Sequence, residues 1–193
     1  MIPSGAKEEA DLGEGVVLLD VSHLLPVDMP ESRDASKINR CYHHHSGALG
    51  QDGYNGAHAS SRYVVGTRGF PSAAYTYWLS FEPDVMRNGQ IVVYRLNADD
   101  VRSWHTGGDA NTYGISVAWQ GNLSTRAPSP YQYHAARMLC RWLMTRHSLD
   151  SEVPFSYHSE SNLYGGSGKK ACPGPFVERW VEDFRRLATV KVA

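Results

Sequence analysis

The fold assignment starts from one histidine-rich segment, Tyr42-His43-His44-His45-Ser46-Gly47, which closes a short strand-like run at 39–46. Successive side chains of a strand point to opposite faces, so His43 and His45 share one face and His44 lies on the other. Only one of the two faces can therefore supply imidazole to a given site. A histidine run alone is weak evidence, because exposed or hydrogen-bonded imidazoles are the common alternative.

A second segment, Trp104-His105-Thr106-Gly107-Gly108, combines an aromatic ring and an imidazole with small residues, and Asn111-Thr112-Tyr113-Gly114 follows it. Small residues let the backbone approach a ligand closely, and a few polar groups then fix its orientation. The composition suits a shallow binding cleft. Taken alone, it fits a plain loop between strands equally well.

A third segment contains Tyr157-His158-Ser159-Glu160 and, after a Gly-rich loop, Lys170-Ala171-Cys172-Pro173-Gly174. Zinc accepts imidazole nitrogen and thiolate sulfur, and a catalytic zinc site has three protein ligands and one open position. A lysine two residues before Cys172 favours the thiolate form. The segment therefore allows a zinc site, with plain structural roles for the same residues as the alternative.

Together, and in this order, the segments resemble the N-acetylmuramoyl-L-alanine amidase type 2 superfamily, which includes phage-type zinc amidases and the peptidoglycan recognition proteins. The family pattern is a strand ending in His-His-Thr/Ser, a Tyr-His-Phe-like strand, a Trp-His-small-Gly loop, and a distal His followed by Lys-x-Cys-Pro-Gly. The matching segments here are 43–46, 75–78, 104–107 and His158 with 170–174. The resemblance covers the chain from about residue 39 to the C-terminal helix.

The resemblance implies an α/β fold in which a single mixed β-sheet is flanked by helices. It implies zinc as the cofactor, with His44, His158 and Cys172 as its ligands. If the register slips by one residue, His43 or His45 takes the place of His44.

The resemblance also assigns roles around the metal. Tyr75 and Lys170 fall where enzymatic members of the family keep catalytic residues. The expected substrate-binding residues are Trp104, His105, Thr106 and Glu160.

Three features depart from the family pattern. The loop between His158 and Cys172 is longer than usual, Glu160 replaces an Asp, and Thr76 replaces the His of Tyr-His-Phe. These departures concern the path of the loop and the substrate contacts more than the metal.

The implied activity is zinc-dependent hydrolysis of the amide bond between N-acetylmuramic acid and L-alanine in peptidoglycan, as in an endolysin. The metal would activate water, and Lys170 and Tyr75 would help to stabilise the oxyanion. One alternative is a peptidoglycan-binding module without catalysis, but binding-only members typically lose the metal cysteine, which is kept here. Another is a purely structural zinc site, for which His43, His45 or Cys41 would be the fourth ligand.

Size and composition agree with one globular domain. The chain has 193 residues, of which 41% are hydrophobic and 20% charged, and its net charge of −1 argues against nucleic acid as a partner. No apolar run approaches the ~20 residues that span a bilayer, so membrane insertion is not expected, and we expect a monomer whose partner is peptidoglycan. The N-terminus lacks the order of a secretory signal. Synthesis in the cytoplasm and action on the cell wall are therefore expected.

The chain is expected to divide into an N-terminal arm at 1–38, with one strand at Val16–Asp20, and the zinc amidase domain at 39–193. Predicted helices lie at 54–65, after the Ser129 cap, and from about Pro175 onward. Predicted strands lie at 74–81, 91–96 and 115–120. Three sparse cysteines do not form a disulfide framework; Cys140 is expected to be buried, and the role of Cys41 stays open.

Overall fold

A seven-stranded sheet forms the centre of the molecule, as seen in a computed structural model that describes residues 1–47, 50–150, 152–167 and 171–189. Its strands run in the spatial order β1-β2-β5-β4-β6-β3-β7. The strands are β1 Lys7–Gly13, β2 Val16–Asp20, β3 Arg40–His45, β4 Tyr77–Leu79, β5 Ile91–Arg95, β6 Gly114–Trp119 and β7 Phe155–Tyr157. The helices are α1 Gly53–Gly66, α2 Gly108–Tyr113, α3 Pro130–Arg146 and α4 Pro175–Thr189, with 3-10 helices at Ser22–Leu24, Ala35–Lys37 and His158–Tyr164.

The sheet is mixed, which confirms the predicted fold class. Strand β1 pairs antiparallel with β2 and β4 pairs antiparallel with β5, whereas the other neighbouring pairs are parallel. Strands β6, β3 and β7 therefore run in the same direction, and their carboxyl ends meet at one edge. Side chains at this edge come from distant parts of the sequence. The carboxyl ends of the strands are the usual place for a binding site in such a sheet.

Each face of the sheet has its own apolar core. Alternate side chains divide between them: Tyr77 and Val117 lie on the face covered by α3 and α4, and Trp78 and Ala118 lie on the face covered by α1. The central strands are buried on both sides, and the six residues of β6 are all buried. This explains why the central strands read as continuous apolar runs rather than as alternating ones.

Helix α3 begins as the sequence predicts. The side chain of Ser129 accepts a hydrogen bond from the backbone N–H of Gln132, whose own side chain returns to the backbone of Ser129, and Pro130 opens the first turn. Such a capping box satisfies N–H groups that the helix leaves without partners, and its loss typically costs about 1 kcal/mol. The helix start also fixes how α3 lies on the sheet, because Gln132 donates to the carbonyls of Leu79 and Gln120.

Two strands differ from the predictions. The strand predicted at 74–81 is paired as a strand only over Tyr77–Leu79, since beyond it the side chain of Gln120 accepts from the N–H of Phe81 in place of a backbone carbonyl. Strand β1 was not predicted, because its sequence KEEADLG is polar; it occupies the edge of the sheet, where only β2 flanks it. Two strands of the sheet therefore lie within residues 1–38, the predicted arm, whose boundary at 38 stays a prediction.

The predicted burial of Cys140 is confirmed. All three cysteines are free thiols, and Cys41 and Cys140 are buried. None of the helices within the described ranges has the length and apolar character that crossing a bilayer requires.

Candidate metal centre

The register of β3 brings two histidines side by side. His43 pairs with Tyr157 of the parallel strand β7, so the following residues, His44 and His158, lie next to each other on the same face. Their ring centroids are 4.8 Å apart, and both residues are buried. Residues 114 positions apart in sequence thus become neighbours through strand pairing alone.

Cys172 completes the group. Its sulfur lies 3.8 Å from Nδ1 of His44, and one ligand atom from each of His44, His158 and Cys172 falls within 4.8 Å of the others. The carbonyl of Cys172 accepts a hydrogen bond of 2.9 Å from the N–H of Ser159, which ties the two ends of the intervening loop together. We call these three residues the three-ligand cluster; two imidazoles and a thiolate form a donor set that fits zinc.

His44 is held by a second imidazole. Its Nε2 lies 3.0 Å from Nδ1 of His105, with the two rings nearly perpendicular. If Nδ1 of His44 is the ligand atom, its Nε2 carries the hydrogen and donates to His105, which is how metal-binding histidines are commonly oriented. Burial, followed by the charges of His105 and His158, keeps the pKa of His44 well below its usual value. The ring is therefore neutral, the form that binds metals.

The other two histidines of the run face the opposite side of β3, as the alternation predicts. Nδ1 of His43 accepts a 2.9 Å hydrogen bond from the indole of Trp119, and burial with the charge of Arg185 lowers its pKa to about 3. Cys41 lies on this same face. Nδ1 of His45 accepts from the N–H of Leu123 at 3.1 Å. In the part of the chain that the structure describes, none of these residues joins the three-ligand cluster.

Tyr75 lies against the three-ligand cluster. Its ring centroid is 5.4 Å from that of His44. Burial, with the charge of Cys172 second, raises the pKa of Tyr75, so its hydroxyl stays protonated and can donate a hydrogen bond. Lys170, the other predicted catalytic residue, lies outside the described residues.

The loop at 104–108, here called the Trp-His loop, is organised by a residue that the sequence did not single out for a role. The side-chain oxygen of Asn111 accepts hydrogen bonds from the backbone N–H groups of His105 at 3.0 Å, Thr106 at 2.8 Å and Gly107 at 3.0 Å. Asn111 is buried. The position of His105 beside His44 therefore depends on Asn111, which one sequence alone does not distinguish from an ordinary loop asparagine.

The predicted substrate-binding residues lie in different surroundings. His105 is in contact with His44, and Thr106 is buried beside Asn111. Trp104 is half-buried, contacts the ring of Phe70 and lines an open cavity of about 610 Å³.

Glu160, also expected to contact substrate, is engaged elsewhere. Its carboxylate forms an ion pair with Arg185 of α4 and accepts a 2.8 Å hydrogen bond from Ser156. Within the described residues it does not belong to the three-ligand cluster. The structure explains this carboxylate as a link between β7 and α4, and its contact with substrate stays a prediction.

The long loop between His158 and Cys172 docks on the Trp-His loop. The N–H of Ser167 donates to the carbonyl of Thr106 at 2.8 Å, and the N–H of Asp109 donates to the carbonyl of Gly165 at 3.2 Å. Gly108 has a φ of +54°, and a Cβ added there would lie 2.1 Å from the oxygen of Gly165. The contact between the two loops therefore requires glycine at position 108.

Comparison with known proteins gives structural relatives of two kinds. Drosophila PGRP-LB is 15% identical with a TM-score of 0.68, over 91% of this chain and 98% of that chain. The endolysin N-acetylmuramoyl-L-alanine amidase LysCS from Clostridium intestinale URNW is 16% identical with a TM-score of 0.62, over 86% and 94%. PGRP-LE, solved in complex with tracheal cytotoxin (monomeric diaminopimelic acid-type peptidoglycan), is 13% identical with a TM-score of 0.63, over 84% and 86%. At these identities the likeness shows the fold.

No curated protein sequence matches the chain. The model of one protein family does match it, over residues 32–175, and that range includes every residue of the three-ligand cluster. The range covers most of the sheet and the loops that surround the cluster. With the mixed sheet and the order of its motifs in agreement, the chain belongs to the N-acetylmuramoyl-L-alanine amidase family, Amidase_2.

Proposed function

We propose that this protein is a zinc-dependent N-acetylmuramoyl-L-alanine amidase that cleaves the bond between N-acetylmuramic acid and L-alanine in bacterial peptidoglycan. One observation carries the proposal: the ligand atoms of His44, His158 and Cys172 lie within 4.8 Å of one another. Three protein ligands of this kind, with no fourth in the described residues, suit a catalytic rather than a structural zinc site.

The three-ligand cluster would hold the metal, and His105 would fix the ring of His44 through the 3.0 Å contact between Nε2 and Nδ1. Bound zinc supplies Lewis acidity, which lowers the pKa of water and polarises a carbonyl oxygen. We assign to the protonated hydroxyl of Tyr75, whose ring centroid lies 5.4 Å from that of His44, a hydrogen bond to the oxygen that becomes negative when the amide is attacked. We assign the same charge-stabilising role to the ammonium of Lys170, on the strength of the sequence motif.

Peptidoglycan is the proposed partner, which the family membership and the ligand of PGRP-LE support. The cavity of about 610 Å³ that Trp104 lines is one surface where a part of the substrate could lie. We further propose that the protein acts on the cell wall as a monomer, in the manner of an endolysin. Size-exclusion chromatography with light scattering tests the oligomeric state.

Purified cell walls provide the direct test of the activity. The wild-type protein should release dye from labelled walls, a chelator should stop the release, and added zinc should restore it. Mass spectrometry of the digest should find free glycan chains and peptides with new L-alanine amino termini. Binding to walls without cleavage, in zinc-loaded protein, would refute the enzyme and favour a recognition module.

A further inference from the structure

Cys172 lies in a segment without regular structure, just before α4, so something else must fix its sulfur. The contacts of the segment lead to one turn at residues 121–125, which we call the Leu123 turn. The hydroxyl of Ser124 donates to the carbonyl of Ala171 at 3.2 Å. Gly174 has a φ of +93°, and a Cβ added there would lie 2.4 Å from the oxygen of Leu123. The cysteine segment is therefore docked on the Leu123 turn on both sides of Cys172.

The Leu123 turn is itself tied to the end of β3 by the two residues that follow His44. Nδ1 of His45 accepts from the N–H of Leu123 at 3.1 Å, and the hydroxyl of Ser46 accepts from the N–H of Gly121 at 2.9 Å. The side chain of Leu123 is fully buried, which anchors the turn from beneath. Since the acceptor on His45 is an imidazole nitrogen, its removal would leave the N–H of Leu123 without this partner.

His45 also reaches Cys172 directly. Its backbone N–H donates to the sulfur at 3.3 Å. A hydrogen bond from a backbone N–H favours the charged thiolate, the form of cysteine that binds metal. His45 therefore has two contacts with this region. Its backbone N–H donates to the sulfur of Cys172, and its ring bonds to the Leu123 turn on which the cysteine segment is docked.

We infer that His45 is a positioning residue for the cysteine ligand. Its ring holds the Leu123 turn in place, and that turn sets the distance of the Cys172 sulfur from His44. This inference rests on the proposed function, because it assumes that the three-ligand cluster binds zinc. It assigns a role to an imidazole that lies on the face of β3 opposite to His44 and is not a ligand.

Zinc affinity tests the role independently of catalysis. The wild-type protein, His45→Ala and His45→Asn are compared by competition with a chelator, and each is also loaded with Co²⁺ to record the thiolate-to-cobalt absorption band. His45→Ala should bind zinc about tenfold more weakly and show a weakened band. His45→Asn should recover most of both, because its side-chain oxygen can accept from Leu123. The control His23→Ala removes an exposed imidazole whose Nε2 bonds to the carbonyl of Gly5, outside the Leu123 turn, and should change neither.

Each outcome decides the question. Unchanged zinc affinity and an unchanged cobalt band in His45→Ala, or no recovery in His45→Asn, would overturn the positioning role while leaving the proposed function intact. A wild-type protein that binds no zinc would refute both. If His45→Ala does not fold by circular dichroism, Ser124→Ala replaces it: loss of its hydrogen bond to Ala171 should weaken zinc binding on the order of threefold, and no change would refute the docking of the cysteine segment.

Discussion

Removal of the Asn111 side chain should destabilise the protein and also weaken the zinc binding that we propose for the three-ligand cluster. In the native protein its oxygen accepts from three consecutive backbone N–H groups, at His105, Thr106 and Gly107. His105 and Thr106 are buried, whereas Gly107 is partly exposed, so its N–H can donate a hydrogen bond to water instead. Asn111→Ala thus leaves two buried donors without a partner.

The magnitude follows from the cost of an unsatisfied buried donor, about 1–3 kcal/mol each. Two such groups, with some relaxation of the loop, give an expected loss of about 2–4 kcal/mol in the free energy of unfolding. For a chain of this length that corresponds to a fall of about 10 °C in Tm. The loss is a large part of a total stability that is typically about 5–15 kcal/mol.

Urea denaturation followed by tryptophan fluorescence measures the loss, with zinc affinity as a second readout. Asn111→Asp keeps an acceptor oxygen in the same place and should lose less than Asn111→Ala. Asn88→Ala is the matched control, because Asn88 also accepts from a backbone N–H, that of Gln90 at 3.2 Å, but in an exposed turn. An Asn111→Ala variant as stable as Asn88→Ala would refute the argument that Asn111 organises the Trp-His loop.

Three further substitutions test other parts of the molecule. Cys172→Ser should abolish turnover and weaken zinc binding with an unchanged circular dichroism spectrum, because a hydroxyl is a poor zinc ligand. Lys170→Ala should keep zinc, measured by metal analysis, and lose about 10²–10³-fold in rate; full activity would reject its role. Burial alone would raise the pKa of Asp99, but His147 and Arg146 hold that pKa well below its usual value. Its contribution to stability is therefore present above the unfolded pKa of about 3.9 and lost as the pH falls below it. Urea titrations across this pH range should show a smaller fall in the free energy of unfolding for Asp99→Asn than for the wild-type protein. An equal fall would contradict the assignment.

Local patterns were enough to predict much of the fold. Neighbouring residues alone form the apolar runs of β5 and β6 and the capping box of α3, so one sequence is enough to predict these features. The separation of His44 from His43 and His45 followed from strand alternation alone. The grouping of His44 with His158 and Cys172 came from the resemblance to a family, because strand pairing across more than a hundred residues has no local signal.

The contacts around the three-ligand cluster could not be predicted from the sequence. Asn111 and Glu160 are both polar residues near a motif, yet the first is buried under a loop and the second is paired with Arg185. Which polar groups a carboxylate or an amide meets depends on how distant elements pack. The docking of Gly165 on Gly108 is of the same kind, since it joins two loops whose paths are set by different strands.

The histidine run shows why the register of β3 matters so much. A slip of one residue would turn every side chain of the strand to the opposite face. His43 and His45 would then face the side of the three-ligand cluster, and His44 would face Trp119, whose indole donates to His43 in the observed register. Because Trp119 is fully buried, its N–H needs an acceptor within the core, and Nδ1 of His43 supplies one. The three histidines of the run therefore serve both faces of β3, with His44 in the three-ligand cluster and His43 in the apolar core.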